Sequence, residues 1–226
     1  MTPPQPSSRA PRRWPLITGA TALALAVALG TLIVLRGARE PYLDLEWMHE
    51  IIEHRSPVWE VPALVMSFIG GGWFGILVVP IGAALALALA RGRWSATYFL
   101  VASIASATLV QLLKHLFGRA RPEQMLVPAD FGSFPSGHVA NAATVAIALA
   151  LIARRWWVWF AGSLLVVLMA LSRTYLGVHW LSDTVGGLLV GVGVAVIAWA
   201  PFSAHLQRER LGRDAPATGD AAGATH

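Results

Sequence analysis

The chain has 226 residues and no cysteine, which excludes disulfides, thiolate metal sites and thiol nucleophiles. It is 56% hydrophobic and only 13% charged, with a mean hydropathy of +0.59; a soluble domain carries about 25% charged residues, so the composition implies a polytopic membrane protein, one domain by length. The net charge of +5 would point to nucleic acid in a soluble protein, but the arginines cluster at the ends of apolar stretches, where membrane orientation accounts for them.

Residues 1–13 are rich in Pro, Ser and Arg and have no apolar period, so they are expected to be disordered. Trp14–Leu35 has the length of about 20 apolar residues that a bilayer core demands and is too long for the core of a signal peptide. Tyr42–Arg55 is acidic and amphipathic, a surface helix at the membrane interface. Val61–Ala90 is broken by Gly70-Gly71-Gly72. Its first piece, within residues 58–72, is too short to cross and reads as an interfacial, partly inserted or re-entrant helix; Trp73–Ala90 is the second span. Four more follow: Ala96–Leu116, Gly137–Ala153, Trp156–Leu171 and Trp180–Ala200. The expectation is an all-α membrane bundle of six spans over residues 14–203, followed by a disordered tail over 204–226. No segment of the chain repeats another.

Counting the ambiguous piece as a span gives seven and reverses everything after it, so basic residues decide. With six spans and a cytoplasmic start, the inner side holds Arg9, Arg12, Arg13, Arg91, Arg93, Arg154, Arg155, Arg208, Arg210 and Arg213. The outer side holds Arg36, Arg39, Arg55, Lys114, Arg119, Arg121 and Arg173, the first three among acidic residues. Both termini are therefore expected in the cytoplasm. The ends of spans three and five and the starts of spans four and six then fall on the outer face.

Those ends carry the chemistry. Lys114 is the only lysine, and it stands seven residues before Arg121, so the two share a face if the helix continues to Pro122. Pro135-Ser136-Gly137-His138 opens an apolar helix, whose free N–H groups and dipole favour an anion, and Gly137 allows close backbone approach. His179 and Asp183 stand at i and i+4, where a carboxylate can fix the imidazole tautomer and leave the other nitrogen nucleophilic. Arg173 lies six residues earlier and can clamp phosphate oxygens in bidentate fashion. His115 and Arg119 read as flanking residues. The loop Glu123–Phe134, with Met125, Leu126, Phe131 and Phe134, is a candidate lining for lipid-tail access.

Taken together, the three strings resemble the signature of the type 2 phosphatidic acid phosphatase superfamily over about Leu43–Gly193: lysine, six residues, Arg-Pro, then Pro-Ser-Gly-His, then Ser-Arg, five residues, histidine, three residues, aspartate. The resemblance implies that His179 attacks phosphorus to form a phosphohistidine, that Asp183 orients it, and that His138 protonates the leaving oxygen and then activates water. It implies that Lys114, Arg121 and Arg173, with Ser136 and Gly137, hold the phosphoryl oxygens, with no metal and no cofactor. Ser172 belongs to the pattern without a chemical role of its own. The implied substrates are phosphatidic acid, phosphatidylglycerol phosphate or polyprenyl diphosphates such as the undecaprenyl carrier, in a bacterial plasma membrane, with membrane lipids and no nucleic acid as partners. The alternatives are a non-catalytic lipid-binding scaffold and a vanadate-dependent haloperoxidase.

Overall fold

A computed structural model of the protein describes residues 13–37 and 39–214; the disorder expected for residues 1–12 and 215–226 falls outside them. The described residues are helical and contain no strand. The helices are α1 (Trp14–Leu35), α2 (Tyr42–Glu53), α3 (Pro57–Gly70), α4 (Val79–Ala90), α5 (Arg93–Phe117), α6 (Gly137–Ala153), α7 (Trp156–Tyr175) and α8 (Leu181–Asp214), with a π-helical turn, Phe74–Val78, leading into α4.

Four of these, α1, α5, α7 and α8, are long and apolar enough to cross a membrane, and α3 with the Phe74–Ala90 segment makes a fifth candidate bent by 49°. The bend falls at the glycine run, as the sequence suggested. The expected six spans are not reached by length and composition, because α6 has only 17 residues. The tail expected from residue 204 needs correction: α8 continues through Pro201 for 34 residues to Asp214. Its far end has a reason to stay helical. Glu209 accepts hydrogen bonds from the N–H groups of Trp94 (2.7 Å) and Ser95 (3.1 Å), which are otherwise unpaired donors at the start of α5, and from Ser95 Oγ (2.9 Å).

α8 is central and packs against α1, α5 and α6, while α3 lies on α7 and α4 on α5. In lipid, helices associate through close packing of small residues and buried polar contacts. Here a side chain at Gly187 would run into the Ser136 carbonyl, so glycine lets α8 touch the start of α6. Buried hydrogen bonds join α5 to its neighbours, from Tyr98 Oη to the Ala195 carbonyl (2.9 Å) and from Thr144 Oγ1 to Ser106 Oγ (2.9 Å). The end of α5, the start of α6, the end of α7 and the start of α8 meet at one end of the bundle.

Candidate active site

α5 stops at Phe117 because Gly118 takes the left-handed conformation (φ 55°) that a side chain would strain. Lys114 and Arg121 therefore do not share a helix face as expected; Arg121 returns from the loop 118–136. The two still meet. Lys114 Nζ donates to the Gly132 carbonyl (2.6 Å) and lies 3.3 Å from Asp130 Oδ1. Arg121 donates to the same Asp130 oxygen (2.6 Å), to the Gly132 carbonyl (2.8 Å) and to the Val178 carbonyl (2.5 Å). The Lys114 side chain is 3% exposed and that of Asp130 60%, so one solvent-reaching carboxylate bridges two sheltered cations.

Ser136 caps α6 from an extended conformation, and its N–H donates to the Asp183 carbonyl oxygen (2.9 Å). Its hydroxyl is buried and has no hydrogen-bond partner among the described residues; the same is true of Arg173 Nε and His179 Nδ1. Buried polar groups are normally paired, so the Ser136 hydroxyl and Arg173 Nε are available to a ligand, while His179 Nδ1 faces Asp183.

His179 sits in the turn between α7 and α8 and is 2% exposed. Burial, then the charges of Arg173, Arg121 and Lys114, hold its imidazole well below its ordinary value of 6.5. All three motif cations thus act on one histidine. The expected hydrogen bond to Asp183 is not closed: His179 Nδ1 lies 3.5 Å from Oδ2. Asp183 instead accepts from the Trp180 N–H at Oδ2 (2.9 Å) and from Arg119 Nη1 at Oδ1 (2.6 Å). Catalytic hydrogen bonds are often long without substrate and tighten when it binds.

α3 forms a wall of the site that the motifs did not reveal. Its Ser67 carbonyl accepts from His138 Nε2 (3.1 Å), and its Ser67 hydroxyl meets Arg173 Nη1 (2.5 Å). A carbonyl only accepts, so this bond puts the His138 proton on Nε2. Ser172, left without a role by its pattern, donates to the Ala63 carbonyl (2.7 Å) and fastens the end of α7 to α3.

Arg119 also proves to be more than a flanking residue. Its side chain is 3% exposed and meets Asp183, Asp44 (2.7 Å) and Glu40. Burial would pull this guanidinium down, but Asp183, Asp44 and Glu40 outweigh it and raise it above its ordinary value. The signal for Asp44 was its position: it shares the buried face of α2 with Met48, four residues on, apart from Glu46, Glu50 and Glu53. Phe134, expected to line a tail access, is fully buried against Phe117, whereas Met125, Leu126 and Phe131 are exposed. Among the described residues, His49, Glu50 and Glu53 form a group with metal-ligand spacing, exposed on α2 rather than among the motif residues. A groove of about 200 Å³ lined by Ala143, Trp159, Gly162 and Val166 contains no motif residue.

The pattern of the PAP2 superfamily matches residues 95–206. A lipid A 4'-phosphatase of Bacteroides thetaiotaomicron is 30% identical, over 74% of this chain and 80% of that protein. An undecaprenyl-diphosphatase of Sulfolobus acidocaldarius is 29% identical, over 51% of this chain and 59% of that protein; this chain likewise spans only 61% and 63% of two other curated relatives. The crystal structure of a transmembrane PAP2-type phosphatidylglycerolphosphate phosphatase from Bacillus subtilis shares the fold, with a TM-score of 0.70 at 24% identity, over 84% of this chain and 98% of that one. Apolar helices and membrane-protein relatives agree on a multi-pass membrane protein. With its three motifs at one end of a helical bundle and relatives matched along most of their length, the chain belongs to the PAP2 superfamily.

Proposed function

We propose that this protein is a membrane lipid phosphate phosphatase that works through a phosphohistidine on His179, without a metal ion. The observation that carries the reading is the meeting of Lys114, Arg121, Arg173 and the unpaired Ser136 hydroxyl around a buried, neutral His179. Phosphoryl transfer needs in-line placement and compensation of charge on the equatorial oxygens, which fixed cations and backbone dipoles supply.

In the first step His179 Nε2 bonds to phosphorus as the ester or anhydride P–O bond breaks, and His138, entering as the imidazolium with Nε2–H kept on the Ser67 carbonyl, gives the proton on Nδ1 to the leaving oxygen and becomes neutral. In the second step His138 takes a proton from water, the hydroxide attacks phosphorus, the N–P bond breaks, and phosphate leaves. Asp183 faces the Nδ1 side of His179 and stabilises the positive ring of the intermediate. Lys114, Arg121, Arg173, Ser136 and the Gly137 N–H hold the phosphoryl oxygens.

The names of the relatives support a lipid substrate and span undecaprenyl diphosphate, phosphatidylglycerolphosphate and lipid A. The proposed arrangement is six spans, counting α6 and the bent pair, in a bacterial plasma membrane. Both termini are cytoplasmic, α2 lies at the interface, and the site opens at the outer face. Phosphatidic acid and undecaprenyl diphosphate are the expected substrates, because an outer site meets carrier lipid awaiting recycling and the cations accept a diphosphate.

The test is phosphate release by purified protein from phosphatidic acid, phosphatidylglycerol phosphate, undecaprenyl diphosphate and a water-soluble phosphomonoester. Lipids should be hydrolysed in EDTA, vanadate should inhibit, and the soluble ester should react poorly because the tail supplies binding energy. His179→Ala should be inactive; a residual rate above about one hundredth of wild type would reject it as the nucleophile. Strict Mg²⁺ dependence would reject the metal-free mechanism, and preference for the soluble ester would reject the lipid substrate.

A further inference from the structure

Resting on the reading above, we propose that Arg119 is a positioning residue: held from behind by Glu40 and Asp44, it sets the Asp183 carboxylate against His179, which makes α2 part of the catalytic apparatus. Both of its terminal nitrogens are taken by the protein, and among its donors only the buried Nε is without a partner. Nη1 donates to Asp183 Oδ1 (2.6 Å) and Ser182 Oγ (2.7 Å), and Nη2 donates to Asp44 Oδ2 (2.7 Å) and pairs with Glu40. The Trp180 ring covers the guanidinium, its centroid 5.5 Å from Cζ, and the indole N–H is itself fixed on the Ala120 carbonyl (3.0 Å).

The clamp acts on the right atoms. Arg119 takes Oδ1 of Asp183, which leaves Oδ2 on the side of His179. Asp44 holds the same turn of α8 directly, accepting from the Ser182 N–H at Oδ1 (2.8 Å) and from the Ser182 hydroxyl at Oδ2 (2.5 Å). Arg119 holds Oδ1 through Nη1 and the Trp180 N–H holds Oδ2, while Nη2 is fixed on Asp44 and Glu40; a planar guanidinium can face both sides at once in this way, which a compact ammonium does not.

The charge count points the same way. One arginine would neutralise Asp183 alone, yet three carboxylates converge on it. The excess negative charge lies behind His179, whose ring becomes positive when Nε2 bonds to phosphorus. The cations acting on His179, Arg173, Arg121 and Lys114, belong to the phosphate side. An arginine shared by three acids thus orients Asp183 without cancelling its field.

The test compares kcat and KM of Asp44→Asn, Arg119→Lys and Arg119→Gln with those of Asp183→Asn and His179→Ala. The substrate is whichever of phosphatidic acid and undecaprenyl diphosphate the wild type hydrolyses, with vanadate inhibition and thermal unfolding measured alongside. Asp44→Asn and Arg119→Lys should lower kcat about tenfold or more, as expected of a misplaced reacting group, with KM and vanadate inhibition within about threefold of wild type. The Arg119→Gln/Asp183→Asn double variant should be no slower than the slower single variant, since both act through one carboxylate. Unchanged kcat in Asp44→Asn and Arg119→Lys beside an inactive Asp183→Asn overturns the proposal. So does a raised KM at constant kcat, which would put Arg119 on the phosphate, or loss of folded protein in both conservative variants, which would make the network structural only. An active His179→Ala would instead remove the phosphohistidine reading on which the proposal stands.

Discussion

His179 carries a pH signature that is independent of any substrate. Its folded-state imidazole lies well below 6.5 because of burial and three nearby cations. An unfolded chain takes up the proton near about 6.5, whereas the folded one does not, so below that pH the unfolded state binds more protons and stability falls with acidification. Above it both states are neutral and the residue contributes no slope. Thermal unfolding of wild type and His179→Gln between about pH 5 and pH 8 should therefore diverge on the acid side, with wild type losing more. Parallel curves would mean that His179 is solvated in the folded protein.

The glycine break after α3 has a measurable role at the scale of elements. A side chain at Gly71 would fall on the His138 imidazole, and the extended backbone there suits any residue, so the effect of Gly71→Ala is steric. It should push His138 off the Ser67 carbonyl and lower kcat about tenfold or more while the protein still folds; unchanged turnover on a lipid monoester would show that His138 does not need that seat. The same wall marks how far the sequence could be read. Lys114, Arg121, Ser136, His138, Arg173, His179 and Asp183 stood out because their spacing is fixed within three short strings, and the helices bearing them were visible as apolar runs. Ser67, Asp44 and Glu40 come from segments with no string of their own. They reach the site through α3 lying on α7 and α2 meeting α8, which are tertiary contacts that local periodicity does not encode. Asp44 also looked like one more acid on an acidic helix. The helical end of α8 was missed for a related reason: its cause is Glu209 meeting the start of α5, 114 residues away from Ser95.

For the whole molecule, that contact predicts a separation of stability from activity. α8 is about 51 Å long at 1.5 Å per residue, longer than a hydrocarbon core of about 30 Å, so its two ends lie at opposite faces when it spans. Glu209→Ala uncaps α5 far from His179 and should cost about 1 kcal/mol, read as a lower unfolding midpoint with kcat unchanged. A reporter at the C-terminus should respond in the cytoplasm and one inserted between Glu123 and Phe134 outside; the reverse pattern would turn the site inward. Asp130 gives the resting site one further property. Lys114, Arg121, Arg173 and Arg119 are matched by Asp130, Asp183, Asp44 and Glu40, four positive groups against four negative ones. The site thus carries its own counter-ions. Asp183 and Asp44 are sheltered and Glu40 is only partly exposed, whereas the Asp130 side chain is 60% exposed, so Asp130 is the one that an arriving phosphate can most easily send into water. On the phosphatase reading proposed above, a doubly charged phosphate has reason to displace Asp130 from Lys114 and Arg121, whereas a spectator lipid with a single charge gains little by doing so.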